Sequence, residues 1–488
     1  MHRFKPVEAL EARVLFAAIS WDGGGDGVNW DDAGNWSNNQ VPTLQDDVTI
    51  NLPGSEPLIT IRTNAACRNL TTHEPVYLSY PGHFVDFTVA QSVNLFADFQ
   101  IENVTHGGTW NGPGQIIILN NAALMVAPGP INCDIAFEET GTSFGIDGDL
   151  VFNGTMVLGA PGDPTPDAVS IDGSVDRSIS GTGTFVFEGT DTIFSSKLAN
   201  NTLAKTLTIG PDIKLVARGT GRLFNNYFGC RTIFKGTIDA TTPGALFSAN
   251  ASFVNQGGTI NVGNGGFVGL FLDDTSVFGP VNLQSGGGLV LQSAPQVLGG
   301  QHTFNVTQPI TVPEGASLAL SGLFNLNADI DVSGDLILEY TGTSYLNLAR
   351  QKLTSGYAGG AWNGPGIRSS RAAANAGFAL GFGESNEILG PGGGTFGPFT
   401  VDDSAVLIRA TRYGDANLDG TVNLNDFNAL ASHFGQSVPA WNRGDFNFDG
   451  GVNLNDFNLL ASQFGRSAQS ARDGLLRGSR RLPLDELA

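Results

Sequence analysis

From residue 47 to about 340 apolar and polar residues alternate at every second position in short runs. Among them are Gln115–Leu119, Asp149–Phe152, Gly183–Phe187, Gly258–Val262, Gly288–Leu291, Leu323–Leu326 and Asp335–Leu338. Gly, Asn or Asp bounds each run. Period-two alternation closed by turn residues predicts strands, and this many without a helical period between them predicts a sandwich, a barrel or a solenoid. A right-handed parallel β-helix is the favoured architecture, because stacked rungs bury one continuous core while turn lengths vary. No strict repeat is visible, so tandem β-sandwiches stay open as the alternative.

The pattern changes at both ends of this stretch. Trp21, Trp30 and Trp36 sit among Gly, Asn and Asp before the strand predicted from Asp46. The segment resembles the opening of bacterial β-helical adhesin-like domains, where an aromatic lid covers the first rung. Packing of these aromatics is favoured over a calcium or sugar site. Beyond residue 340, Leu348–Leu353 and Ser369–Ala374 predict short helices, and Val401 to Thr411 predicts a strand. Trp362-Asn-Gly-Pro-Gly repeats the Trp110-Asn-Gly-Pro-Gly pentapeptide, which reads as a shared tight turn with a packed Trp. Residues 340 to 413 resemble a region found before the C-terminal module of secreted planctomycete proteins.

Composition supports strands and turns. The chain carries 66 Gly, 32 Phe and only 15% charged residues in 488, too few Lys and Glu for long amphipathic helices. A formal charge of -21 disfavours nucleic acid or an anionic membrane as partner, since both demand clustered cations. Divalent cations are the better counter-charge. No apolar run reaches the roughly 18 residues of a membrane-spanning helix. Cys67, Cys133 and Cys230 have no metal-ligand spacing and are read as buried free thiols.

The strongest motif is a duplication. Gly414-Asp-Ala-Asn-Leu-Asp-Gly-Thr-Val-Asn-Leu-Asn-Asp426 recurs at Gly444 to Asp456, thirty residues later. Oxygen-bearing side chains fall at loop positions 1, 3, 5, 9 and 12, with Gly at position 6, the spacing that wraps a chain around a hard cation wanting six to eight oxygens. The pattern implies two Ca2+ ions. The first would be held by Asp415, Asn417, Asp419, the Thr421 carbonyl, Asn423 through water, and Asp426. The second would be held by Asp445, Asn447, Asp449, the Gly451 carbonyl, Asn453 and Asp456. Phe427, Leu430, Ala431 and Phe434, then Phe457, Leu460, Ala461 and Phe464, follow at helical spacing and end at Gly435 and Gly465. Asp instead of Glu at position 12, and a strand-like Ala405–Arg409 where an EF-hand has its entering helix, make residues 414 to 466 resemble a type I dockerin. That resemblance implies a cohesin-like protein partner. The positions matching the family's recognition residues are Leu424, Asn425, Ala431 and Ser432, and in the second half Leu454, Asn455, Ala461 and Ser462. They lack the Ser-Thr pair common in cellulosomal dockerins.

At the N-terminus, Leu10-Glu11-Ala12-Arg13-Val14-Leu15-Phe16 resembles the Leu-Glu-Pro-Arg type motif of exported planctomycete proteins, with Ala12 in place of Pro. The organisation expected is an export segment (1–18), a β-helix-like domain with its Trp-rich cap (19–340), a Gly-rich mixed module (341–413), the dockerin-like module (414–466) and an Arg-containing tail (467–488). The localisation expected is secreted, extracellular or cell surface. A polysaccharide-degrading enzyme is the alternative function, but Asp273-Asp274 and His106-Gly107 stand in reversed order for a polygalacturonase-like site. Lys197, Lys205, Lys214 and Lys235 form no cluster suited to a lyase. The reading favoured is a non-catalytic β-solenoid that binds calcium and a cohesin-like partner, with a polysaccharide or cell-surface matrix as a further partner.

Overall fold

The computed structural model describes residues 17–79, 83–119, 123–126, 129–137, 141–162, 167–172, 174–189, 192–197, 205–225, 231–272, 274–276, 279–293, 302–468 and 482–483. The export motif Leu10–Phe16, Cys230, Asp273 and most of the tail lie outside the described residues. The chain divides into two compact units, residues 1–138 and 139–488.

In the first unit, Ala17–Ser20, Asp46–Ile50, Ala65–Thr72, Asp86–Leu95, Thr109–Asn111 and Ile131–Asn132 pair in parallel, each with the next. A second parallel sheet runs through Ile59–Ile61, Val76–Leu78, Phe99–Ile101, Ile116–Ile118 and Ile135–Phe137. Successive strands that alternate between two parallel sheets make a parallel β-solenoid. Its inward positions are apolar: Ile59, Ile61, Val76, Leu78, Phe99 and Ile101 are all fully buried. An aromatic column runs through this core. Trp21 packs edge-on against Trp36, Trp36 against Trp30, and Trp30 against Phe87; Phe87 then stacks on Phe99, which meets Trp110 edge-on. Of the cap carboxylates, Asp26 accepts from the Val28 and Asn29 backbone N–H and the Asn35 side chain, Asp32 accepts from Asp26 and Gly34 N–H, and Asp31 ion-pairs with Arg62.

The second unit repeats the scheme. Parallel pairing runs from Ser143–Asp147 through Ala168–Asp172, Thr192–Lys197, Thr220–Asn225, Leu246–Asn255, Phe267–Leu272, Gly288–Ser293 and Ser317–Ser321 to Asp335–Glu339. Thr155–Leu158, Thr184–Phe187, Lys214–Ala217, Thr237–Ala240, Thr259–Val262 and Val281–Leu283 form a second parallel sheet. Sandwich sheets are antiparallel, so this pairing removes the tandem-sandwich alternative. The stack ends where Ala405–Arg412 pairs antiparallel with both Asp335–Glu339 and Phe378–Glu384, so that the last parallel strand is covered rather than left as an open edge.

Between these closing strands lie the helices Leu346–Tyr357 and Ser370–Ala374, the latter capped by the Ser369 hydroxyl. The two Trp-Asn-Gly-Pro-Gly segments do not share a turn. Trp110 lies within the strand Thr109–Asn111, whereas Trp362 adopts a left-handed φ of 53°. Their packed indoles are common to both, but the backbone differs because Trp362 follows a left-handed helix end at Ala358. Cys67 and Cys133 are buried free thiols, and burial pushes the Cys133 thiol up to about 12. Among the described residues no helix is long and apolar enough to cross a membrane.

Candidate metal centre

Each duplicated loop opens on a buried aspartate and closes on another that starts a helix. Asp415 and Asp426 are fully buried, as are Asp445 and Asp456 to within 4%. The closing residues form capping boxes: the Asn423 side chain accepts from Asn425 N–H at the start of helix Leu424–His433, and Asp426 Oδ2 accepts from Asn423 N–H. Asn453 and Asp456 do the same for helix Leu454–Gln463.

Most hydrogen bonds of the two loops match, although Asp415 alone also accepts from the Thr411 hydroxyl. Asp426 Oδ1 accepts from Ala416 and Asn417 N–H at 2.8 and 3.3 Å, and Asp456 Oδ1 accepts from Phe446 and Asn447 N–H at 2.8 and 3.2 Å. Asp415 Oδ2 accepts from Gly420 N–H at 3.0 Å, and Asp445 Oδ2 from Gly450 N–H at 3.1 Å. Asn417 Oδ1 accepts from Asp419 N–H and Asp419 Oδ1 from Thr421 N–H, with Asn447, Asp449 and Gly451 as counterparts. Gly420 and Gly450 both have a φ of 87°, the left-handed backbone the sixth position requires. This network curls each loop, with its first and last aspartates buried and Asp419 and Asp449 exposed.

One carboxylate oxygen in each loop stays without a partner. Asp415 Oδ1 and Asp445 Oδ1 are buried and accept no hydrogen bond. A buried carboxylate oxygen left unpaired costs several kcal/mol unless a proton or a cation meets it. Burial, reinforced by neighbouring carboxylates, pushes Asp415 up to about 7 and Asp445 up to about 6. Burial raises Asp426 and Asp456 as well. Among the described residues no three His, Cys, Asp or Glu groups form a metal cluster by themselves. Any cation would rest on the mixed set of carboxylates, amides and a carbonyl, which is the hard-oxygen chemistry calcium takes. The orphaned oxygens fit such an ion.

The halves interlock. Gly414 lies against Leu460 of the second loop helix, and Gly444 against Leu430 of the first, so closely that an added Cβ would come within 2.7 and 2.9 Å of their Cα atoms. Val422 exchanges backbone hydrogen bonds with Gly465 and Arg466, and Val452 does so with Gly435 and Gln436. Phe427 and Phe457 meet edge-on at 6.3 Å. Neither half is a closed unit.

The loops are also seated on the preceding β structure. Their fourth residues, Leu418 and Phe448, have left-handed φ values of 55° and 60°. Phe448 packs against Tyr357, Trp362, Phe382 and Trp441. The buried Trp441 indole N–H donates to the Asp415 carbonyl at 2.7 Å, and Arg409, ion-paired with buried Asp335, donates to the Leu418 carbonyl at 2.7 Å. Spacing of ligand residues does not reveal these supports. The one local signal is an apolar residue at position 4 of both loops, where a solvated loop would place a polar one.

The positions matched to partner recognition lie on the surface: Leu424, Asn425, Ala431, Ser432, Leu454, Asn455, Ala461 and Ser462 are all exposed. Leu424 and Leu454 are each 61% exposed, and Phe434 and Phe464 are each 52% exposed. Two of the residues weighed for carbohydrate cleavage have charged neighbours. His106 lies 3.7 Å from Asp86, and Asp274 lies 3.5 Å from His302, in solvent-accessible pairs. Lys214 and Lys235 are exposed. Compared with protein-family models, curated proteins and solved structures, the chain finds no match.

Proposed function

We propose that this is an exported, non-catalytic β-solenoid protein whose C-terminal loops, residues 414 to 466, bind two calcium ions and present a dockerin-like surface to a cohesin-like partner. The observation that carries the reading is the pair of buried, partnerless oxygens, Asp415 Oδ1 and Asp445 Oδ1, at the same position of two loops that share most of their hydrogen bonds. Calcium bound there supplies the positive charge that gathers three carboxylates per loop, and through the capping boxes it secures both helices. Asp415, Asn417, Asp419, Thr421 O, Asn423 and Asp426 are the first ligand set; Asp445, Asn447, Asp449, Gly451 O, Asn453 and Asp456 are the second. The solenoid is read as right-handed, the hand favoured by parallel crossover connections.

Partner binding is read from exposure. Leu424 and Leu454 project from equivalent positions, so the surface is duplicated, and exposed apolar side chains at the start of two ordered helices suit a protein interface. The test is surface plasmon resonance of the full chain against a panel of cohesin domains in calcium and in chelator. Binding in calcium that disappears in chelator, and in the double variant Leu424→Asp/Leu454→Asp, supports the reading. No binding to any cohesin domain, or binding unaffected by chelator, refutes it.

A further inference from the structure

The first solenoid unit carries a regular polar face that neither the core nor the calcium loops use. Strand alternation buries Val48, Leu70, Val93 and Trp110, so the residues between them point outward. Register aligns Thr49, Thr71, Asn94, Asn111 and Asn132 in one row across successive strands. Asn94 Nδ2 donates to Thr71 Oγ1 at 3.3 Å, Asn111 Nδ2 to Asn94 Oδ1 at 3.3 Å, and Asn132 Nδ2 to Asn111 Oδ1 at 2.7 Å. In the adjacent row Asn69 donates to Asp47 and accepts from Ser92. Each ladder bond uses one N–H and one lone pair, which leaves Asn94 and Asn111 a second N–H and a second lone pair toward solvent.

Just past the ends of two of these strands stands an aromatic platform. His73 and Phe96 stack at 4.3 Å with planes 4° apart, and Phe96 is 52% exposed. An exposed ring beside a row of amides offers one surface for C–H groups and another for hydroxyls. We propose that this face binds an extended, uncharged polysaccharide. The rows repeat at about the 4.8 Å spacing of paired strands, so they present the same donors and acceptors to successive units of a repeating polymer. Charge selects against an acidic one: the cation beside the rows, Arg68, is ion-paired with their one carboxylate, Asp47, so the pair presents no net positive charge.

The proposal shares no residue with the calcium loops and stands apart from the partner reading. The experiment is affinity electrophoresis of the full-length protein with soluble β-glucan and galactomannan as neutral probes and polygalacturonate as the acidic one, in calcium and in chelator. Retardation by a neutral polymer in both conditions is expected. Phe96→Ala, a change at an exposed ring, should weaken it about tenfold, the equivalent of one lost aromatic stacking contact, with an unchanged circular dichroism spectrum. Asn94→Ala/Asn111→Ala should weaken it as well. Retardation by neither neutral probe, by polygalacturonate alone, or undiminished in Phe96→Ala overturns the proposal.

Discussion

Leu418 and Phe448 hold a left-handed backbone that costs a non-glycine residue roughly 1–2 kcal/mol. Seating their side chains against the β structure offsets that cost. Gly381 is where this seat is tightest, since a Cβ there would come within 2.5 Å of both Leu418 Cδ2 and Trp441 Nε1. Gly381→Ala should therefore destabilise the seated loops by about 1–3 kcal/mol through overpacking and weaken calcium binding, although it touches no ligand. Melting curves and calcium titrations of the variant check this; an unchanged calcium affinity would show that the seat does not matter to the loops. Protonation provides a second test. Asp415 and Asp445 have folded values raised to about 7 and about 6 by burial, so without metal they hold protons that the unfolded chain releases near 4. The contribution of these two groups to metal-free stability is thus fully present below about 4 and is lost as pH rises through the folded values. In chelator, amide exchange across residues 415–465 should be slower at pH 5 than at pH 8 after correction for intrinsic rates, and calcium should reverse that order.

Strands, helices and loops differ in how legible they are in sequence. Period-two runs marked the strands, and Asp335–Leu338 and Gly183–Phe187 lie within one residue of the observed elements at each end. The duplicated loops were legible because their oxygen-bearing residues and their glycine recur at one fixed spacing. Parallel pairing was an expectation that the runs alone could not decide, because a strand with one face in solvent alternates identically in a sandwich. The seating of the loops was not legible: Trp362, Trp441, Arg409 and Asp335 come together only through long-range pairing. The difference in backbone between Trp110 and Trp362 shows the same limit, for identical pentapeptides adopt the conformations their neighbours impose. Two element-scale outcomes follow. Phe99, fully buried between Phe87 and Trp110, interrupts the aromatic column when removed, so Phe99→Ala should cost about 3–5 kcal/mol in denaturant unfolding of the first unit. Asp335→Ala leaves Arg409 without its ion-pair partner at the end of the parallel stack, and should cost about 3 kcal/mol or more by the same measurement. A loss below about 1 kcal/mol in either case would mean that the site relaxes around the change.

At the scale of the molecule, a net charge of -21 favours cations as counter-charge. The first unit offers a face of stacked amides, and the C-terminal loops carry six aspartates that are proposed to hold two cations. Because the loops rest on Trp362, Tyr357 and Phe382, calcium binding should be felt by the β structure that ends the solenoid as well as by the loops. The most direct measurement is isothermal titration of the chelator-stripped full chain with calcium, repeated with magnesium and with Asp415→Ala, Asp445→Ala and the double variant. Two calcium ions should bind the unaltered protein, one should bind each single variant and none the double, while magnesium binds more weakly because it demands a smaller, near-octahedral shell. A stoichiometry below two in the unaltered chain, or calcium binding that survives both substitutions, would contradict the assignment of these loops as metal sites.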